Sequence, residues 1–217
     1  MALAVTKQRE HQQWTGDGKP HPGRRMSEQE FVEWVDSTTL AEWVDGEVII
    51  MSPVTDQHDD LTGWLRTLAQ TFVEEREAGR VKGPEFMVRL PRQRRRRMPD
   101  LLFVQSAREH LIRTNHVEGA PDLIVEVVSQ DSIARDWRQK YLEYERAGVR
   151  EYWIIDPMAQ RVEAYESGKG SKYKQIPERD EKISSAILAG FYLRPRWLFA
   201  RRLPRITSCL REMGIKL

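Results

Sequence analysis

The stretch PDLIVEVVSQDS, residues 121–132, decides how this chain is read. It is a strand-like apolar run, Leu123, Ile124, Val125, Val127 and Val128, interrupted by one acid, Glu126. An unpaired carboxylate in such a run is costly, so Glu126 calls for a partner. Strand alternation puts Asp122, Ile124, Glu126 and Val128 on one face. Sharing a face does not make two residues neighbours. Four residues of strand rise hold Asp122 and Glu126 roughly 13 Å apart. A divalent cation binds carboxylate oxygens at about 2.0–2.6 Å, so one ion does not readily take both. Asp122 therefore reads as the residue that starts the strand or caps a turn after Pro121.

The better partner lies on the preceding strand candidate, MPDLLFV (98–104), where Asp100 enters an apolar run. Adjacent strands are about 4.8 Å apart, so side chains across a strand pair can share an ion. Local context alone would equally make Asp100 a turn aspartate; the distance argument is what favours it. A cation could come from the next helix, RDWRQKYLEYERAG (135–148). Trp137, Tyr141 and Tyr144 mark its core side, and Asp136 and Lys140 are spaced as an i,i+4 ion pair. Taken alone, Lys140 is a solvated helical lysine. Taken with the strand before it, it points at the Glu126 end.

Outward from this centre, the chain reads as helix, strands, helix, strands. MSEQEFVEWV (26–35) carries a capping box, Ser27 with Glu30. AEWVDGEVIIMSP (41–53) holds Asp45-Gly46 between apolar runs, a hairpin signal. Leu61, Trp64, Leu65, Leu68, Ala69, Phe72 and Val73 recur at helical spacing within 56–79, where Gly79 is placed to end the helix. His58 falls on that stripe in its first turn, a satisfied core histidine or a site residue. The helix N-terminus there would favour its neutral form. EFMVRL (85–90) and MPDLLFV are strands joined by PRQRRRR, and EYWIIDP (151–157) is another. QRVEAYE (160–166) and KYKQIP (172–177) form a hairpin. ILAGFYL (187–193) is a last strand and the end a short helix. This order is α/β (α+β): a mixed central sheet flanked by helices.

Length and composition narrow the class. The 217 residues fit one domain, 26–205, with an N-terminal extension over 1–25 and a tail over 206–217. TGDGKPHPG (15–23), with three Gly and two Pro, suits a linker. The net charge is only +2 although 31% of residues are charged, so local clusters say more than the total. The lone Cys209 excludes an internal disulfide framework and suits a reducing compartment. With no membrane-length apolar run and no signal-peptide pattern, a cytoplasmic protein is expected. RQRRRR, with Arg92, Arg94, Arg95, Arg96 and Arg97, immediately precedes Asp100. Such a cluster either contacts the phosphates of a nucleic acid at the mouth of the site or stays a solvated loop. Arg194, Arg196, Arg201, Arg202 and Arg205 form a second, diffuse basic group.

MPDLLFV, GAPDLIVEVVSQDS, RDWRQKYLEYERAGVREYWIIDP and WVDGEVIIMSPVTDQH, spread from about Ser27 to Phe199, resemble the Uma-two family of proposed restriction endonucleases. That family is a branch of the PD-(D/E)XK nuclease superfamily. The resemblance implies a restriction-endonuclease-like fold and a Mg²⁺-dependent (or Mn²⁺-dependent) endonuclease. Its metal ligands would be Asp100 and Glu126, and its catalytic group would include Lys140 and His58. It implies a nucleic-acid partner, DNA first, and allows a homodimer. The superfamily's lysine two residues after the acid is replaced here by Val128, and Lys140 matches a lysine moved onto the following helix. Glu47 matches an acid in the family's DGE hairpin. Hard carboxylate oxygens suit Mg²⁺, and a lysine can stabilise the pentavalent transition state or help deprotonate water. The alternative is a nucleic-acid-binding or assembly protein on a nuclease fold that cleaves nothing.

Overall fold

The computed structural model describes residues 25–36, 39–128 and 136–216. The N-terminal extension, apart from Arg25, and the segment 129–132 lie outside the described residues, as do the side chains of Asp136 and Trp137. The chain begins with α1 (Glu28–Trp34), β1 (Ala41–Val44), β2 (Glu47–Ile50) and α2 (Asp56–Glu75). Next come β3 (Gly79–Lys82), β4 (Met87–Leu90), β5 (Arg95–Arg97), β6 (Leu101–Gln105), β7 (His116–Glu118) and β8 (Leu123–Val127). It continues with α3 (Asp136–Ala147), β9 (Glu151–Asp156), β10 (Arg161–Ser167) and β11 (Tyr173–Ile176). It closes with β12 (Ile183–Ser184), β13 (Tyr192–Leu193), α4 (Pro195–Leu198) and α5 (Ile206–Glu212).

The main sheet runs β11-β10-β9-β8-β6-β3 and is mixed: β8 and β9 are parallel, the other neighbours antiparallel. β8 is therefore a central strand buried on both faces, as its near-continuous apolar run requires. Leu123, Val125 and Val127 face the core under α2 and α5, while Ile124 packs on the other face with Leu102, Tyr144, Tyr152 and Ile154. A second sheet, β2-β1-β5-β4-β7, carries its own cluster around Phe31, Trp43 and Met98. A mixed sheet flanked by helices is the architecture expected. Among the described residues no helix is long and apolar enough to cross a membrane.

Two local signals act as read. Ser27 and Glu30 form the capping box. Asp45 and Gly46 both take positive φ in a two-residue hairpin that pairs Val44 with Glu47. Gly148, also at positive φ, ends α3 with the Gly148 and Val149 amides donating back to Tyr144. Two readings change. α2 stops earlier than Gly79, because Glu77 adopts the left-handed conformation and the Ala78 amide donates to Val73; Gly79 begins β3 instead. Residues 91–97 are not a loop: a short three-ten turn leads into β5, which joins the two sheet neighbours β1 and β4. The segment read as a tail contains α5, whose Cys209 and Leu210, with Met213 and Ile215, join the core beneath α2.

Candidate active site

Four elements converge at one end of β8. In the β6–β8 register Leu101 faces Val125, so the next pair along places Asp100 opposite Glu126 on the same face. The Asp100 carboxylate is held from two sides. Its Oδ2 accepts the Val127 amide at 2.7 Å, and its Oδ1 lies 3.0 Å from His58 Nε2. His58 arrives there because Thr55 caps α2 and accepts the His58 amide, fixing the first turn at the sheet's end. Glu126 is gripped from α3: Lys140 Nζ donates to Oε2 at 2.9 Å and the Tyr144 hydroxyl to Oε1 at 2.7 Å. Lys140 and Tyr144, four apart, stand on one helix face. Val128, two residues after Glu126, is partly buried and offers no charge; the cation reaches the carboxylate from the helix.

Asp122 takes no part. It is fully buried at the opposite end of β8, where it accepts the Gln105 amide and pairs with Arg108 and Arg150. Its role is to pin the start of the strand. Glu47 is exposed on β2. The acid of that hairpin that does reach the cluster is Glu42, which sequence reasoning passed over. Glu42 is 2% exposed. Its Oε1 accepts the Met98 amide and sits 3.8 Å from Lys140 Nζ, and its Oε2 accepts from Arg97 at 2.6 Å. Lys140 thus lies between two carboxylates.

The charges shape one another. Burial, only partly offset by the Lys140 ammonium, together with the charges of Asp100 and Glu42, pushes the Glu126 carboxyl up to about 7. Burial would lower Lys140, but Glu126 and Glu42 hold it above the ordinary lysine range, so it stays an ammonium at any physiological pH. For Glu42, burial is outweighed by Lys140 and Arg97, which keep it below the usual carboxylate range. The hydrogen bond to Asp100 raises His58 against the effect of burial. The Asp100 contact thus works against the neutral ring that the helix N-terminus alone would favour. His58 Nδ1 is buried and has no hydrogen-bond partner among the described residues.

The arginine run does not lie open at the mouth. β5 alternates its side chains between two sets of acids. Arg95 and Arg97 both bind Glu143 of α3, and Arg97 also binds Glu42; Arg96 turns the other way to Glu28. Arg97 is 0% exposed. Arg96 and Arg97 are thus buried against acids and Arg95 is half-buried on Glu143, so the run does not present the open row of donors expected for nucleic-acid contact. Arg94 is exposed and pairs with Asp45, and Arg92 is exposed in the three-ten turn.

As a donor set, Asp100 and Glu126 offer four hard oxygens, each with one protein donor and a lone pair to spare. The Asp100 side chain is 18% exposed, which leaves the pair open on that side. Among the described residues no three of His, Cys, Asp and Glu group to hold a metal ion. The set fits a small hard cation that keeps several waters, as Mg²⁺ does, better than a closed structural site.

The family model named Uma2, described as "Putative restriction endonuclease", matches residues 28–196. A crystal structure described as a "putative nuclease belonging to DUF820", from Anabaena variabilis, superposes with a TM-score of 0.69 at 18% identity, covering 81% of this chain and 98% of that one. At that identity the likeness shows the fold. No curated protein matches the chain.

Proposed function

This chain belongs to the Uma2 family, "Putative restriction endonuclease", and from that premise we propose that it is a metal-dependent endonuclease hydrolysing phosphodiester bonds of DNA. The observation that carries the reading is the buried Glu126 set opposite Asp100 and clasped by a helix-borne ammonium. An arrangement of buried like charges is poor as a structural device and useful as a site for a cation and an anionic substrate.

In this reading Asp100 and Glu126 hold one Mg²⁺, or Mn²⁺ in its place. The ion, when bound, neutralises phosphate charge and makes water a competent nucleophile near neutral pH. The protein's own groups do the rest. His58 and the Val127 amide fix the two oxygens of Asp100, and Tyr144 fixes one of Glu126. Lys140 cannot act as a base while its charge is locked on by two carboxylates; its part is to present positive charge where the transition state gathers negative charge.

The test is cleavage of supercoiled plasmid, single-stranded DNA and RNA with Mg²⁺, Mn²⁺ or EDTA. We expect cutting that EDTA abolishes, and Lys140→Met to lower kcat by roughly a hundredfold or more, in the range of losing one preorganised electrostatic donor. If no substrate is cut with any metal, the binding-only alternative, which Val128 keeps open, replaces this reading.

The Glu126 carboxyl also sets a pH dependence. A ligating carboxylate must be deprotonated, so the proton competes with the metal for Glu126. Because the group titrates near 7, Mg²⁺ affinity should rise with pH up to and through that point. It should fall by about tenfold per pH unit well below it, one proton being displaced per ion. Calorimetric Mg²⁺ titrations at pH 6 and pH 8 should differ accordingly; equal affinities would remove Glu126 from the ligand set.

A further inference from the structure

With the arginines of β5 bound to internal acids, the positive charge a nucleic acid would follow must come from elsewhere. It is offered by the turn between α4 and α5. Arg201, Arg202 and Arg205 are exposed there, and none has an ion-pair or hydrogen-bond partner for its side chain among the described residues. The contrast with neighbouring arginines is marked. Arg194 is committed to Glu212, and Arg196 reaches Glu181.

The course of the chain puts this turn against the N-terminal half of α2, the half that leads to His58. Phe191 packs edge-on against Phe72, low on the helix, at a centroid distance of 5.3 Å. Trp197 then meets Trp64 at 6.4 Å, and the Pro204 carbonyl accepts the Trp64 indole N–H at 2.8 Å. The segment thus climbs α2 toward its N-terminus, and α5 turns back, bringing Glu212 to Tyr192 and Arg194. Trp64 is six residues beyond His58, roughly 9 Å along the axis. Leu203 packs against the core and Pro204 is tied to Trp64, so the arginines stand on an anchored turn that loses little freedom on binding. Asp56, Asp59 and Asp60 are exposed at the start of α2, and Asp60, four residues before Trp64, shares the side of the helix that meets the turn, so a bound strand must pass clear of it.

We infer that Arg201, Arg202 and Arg205 form a phosphate clamp that holds the sugar–phosphate backbone of a nucleic acid beside the carboxylate site. The inference rests on the proposed nuclease reading for its substrate, but not on cleavage occurring. Such contacts position the strand without reading its sequence.

The experiment uses the full chain and the combined variant Arg201→Ala/Arg202→Ala/Arg205→Ala, with Arg179→Ala, an exposed arginine beyond β11, as control. Binding to a labelled DNA duplex and to single-stranded DNA is measured between about 50 and 200 mM salt. The clamp predicts that the slope of log affinity against log salt becomes shallower by up to about 2.7 for duplex, or about 2.1 for a single strand. Affinity near 0.1 M salt should drop roughly a hundredfold. The arm with the larger change identifies the preferred form. Thermal melting should be unchanged, as all three side chains are exposed. A parent-like slope in the combined variant overturns the clamp, as does a parent that binds neither DNA. If the slope falls but the parent cuts nothing, the clamp stands and the nuclease reading fails.

Discussion

Glu126→Ala is expected to abolish cleavage, by about a thousandfold or more. That figure corresponds to roughly 4 kcal/mol of transition-state stabilisation, the scale of what a held metal supplies. The substitution removes the only acid that faces both Asp100 and Lys140 on β8. It also strands Lys140 and the Tyr144 hydroxyl without their acceptor, and breaking a buried pair costs about 3–5 kcal/mol of stability. Lost activity through unfolding must therefore be separated from lost chemistry. Glu126→Gln serves that purpose: it keeps the shape and an acceptor for Lys140 but weakens the anionic ligand. A folded Glu126→Gln protein, judged by its melting curve, that cleaves at the parental rate would remove Glu126 from catalysis. Asp122→Asn supplies the converse. It should lower stability through Arg108, Arg150 and the Gln105 amide while leaving cleavage by the folded fraction intact. If Asp122→Asn stops cleavage in a folded protein while Asp100→Ala does not, the two aspartates have been assigned the wrong way round.

What could be read from sequence, and what could not, follows from how each residue signals its neighbours. Glu126 was conspicuous because an acid among Ile124, Val125, Val127 and Val128 breaks the solvation rule for its own strand. Asp100 followed from strand spacing, a distance that holds wherever two strands pair. Glu42 gave no such sign. In AEWVDGE it looks like the exposed half of an ordinary hairpin, and only the docking of β1 on β5 buries it. The arginine run misled for a related reason. Three identical residues carry no apolar–polar alternation, so the period-two pattern that marks a strand is invisible. Yet Arg95 and Arg97 go to one set of acids and Arg96 to another, as alternation demands. The partners lie 46 to 68 residues away in sequence, on α1, β1 and α3. The short strands β3 and β7 were likewise hidden, because three or four residues give too little pattern to distinguish from loop.

Arg97→Ala should be the most destabilising single change on the second sheet, by about 3–5 kcal/mol, because it takes from the buried carboxylates of Glu42 and Glu143 the cation they share. Chemical denaturation would measure it directly, and Arg92→Ala, exposed in the three-ten turn, should change stability by no more than about 0.5 kcal/mol. The consequence reaches the site. Arg97 and Lys140 share Glu42, with the stronger contact, 2.6 Å, belonging to Arg97 and the weaker, 3.8 Å, to Lys140. Without the guanidinium, the Glu42 charge turns wholly on Lys140 and competes with Glu126 for it. Arg97→Ala should therefore impair cleavage beyond its effect on folding. Combining it with Glu42→Gln, which removes both the orphaned charge and the competition, should recover part of the stability and part of the activity. Additive losses in the double variant would mean that Arg97 and Glu42 act independently. β5 would then be a structural support with no hold on the lysine.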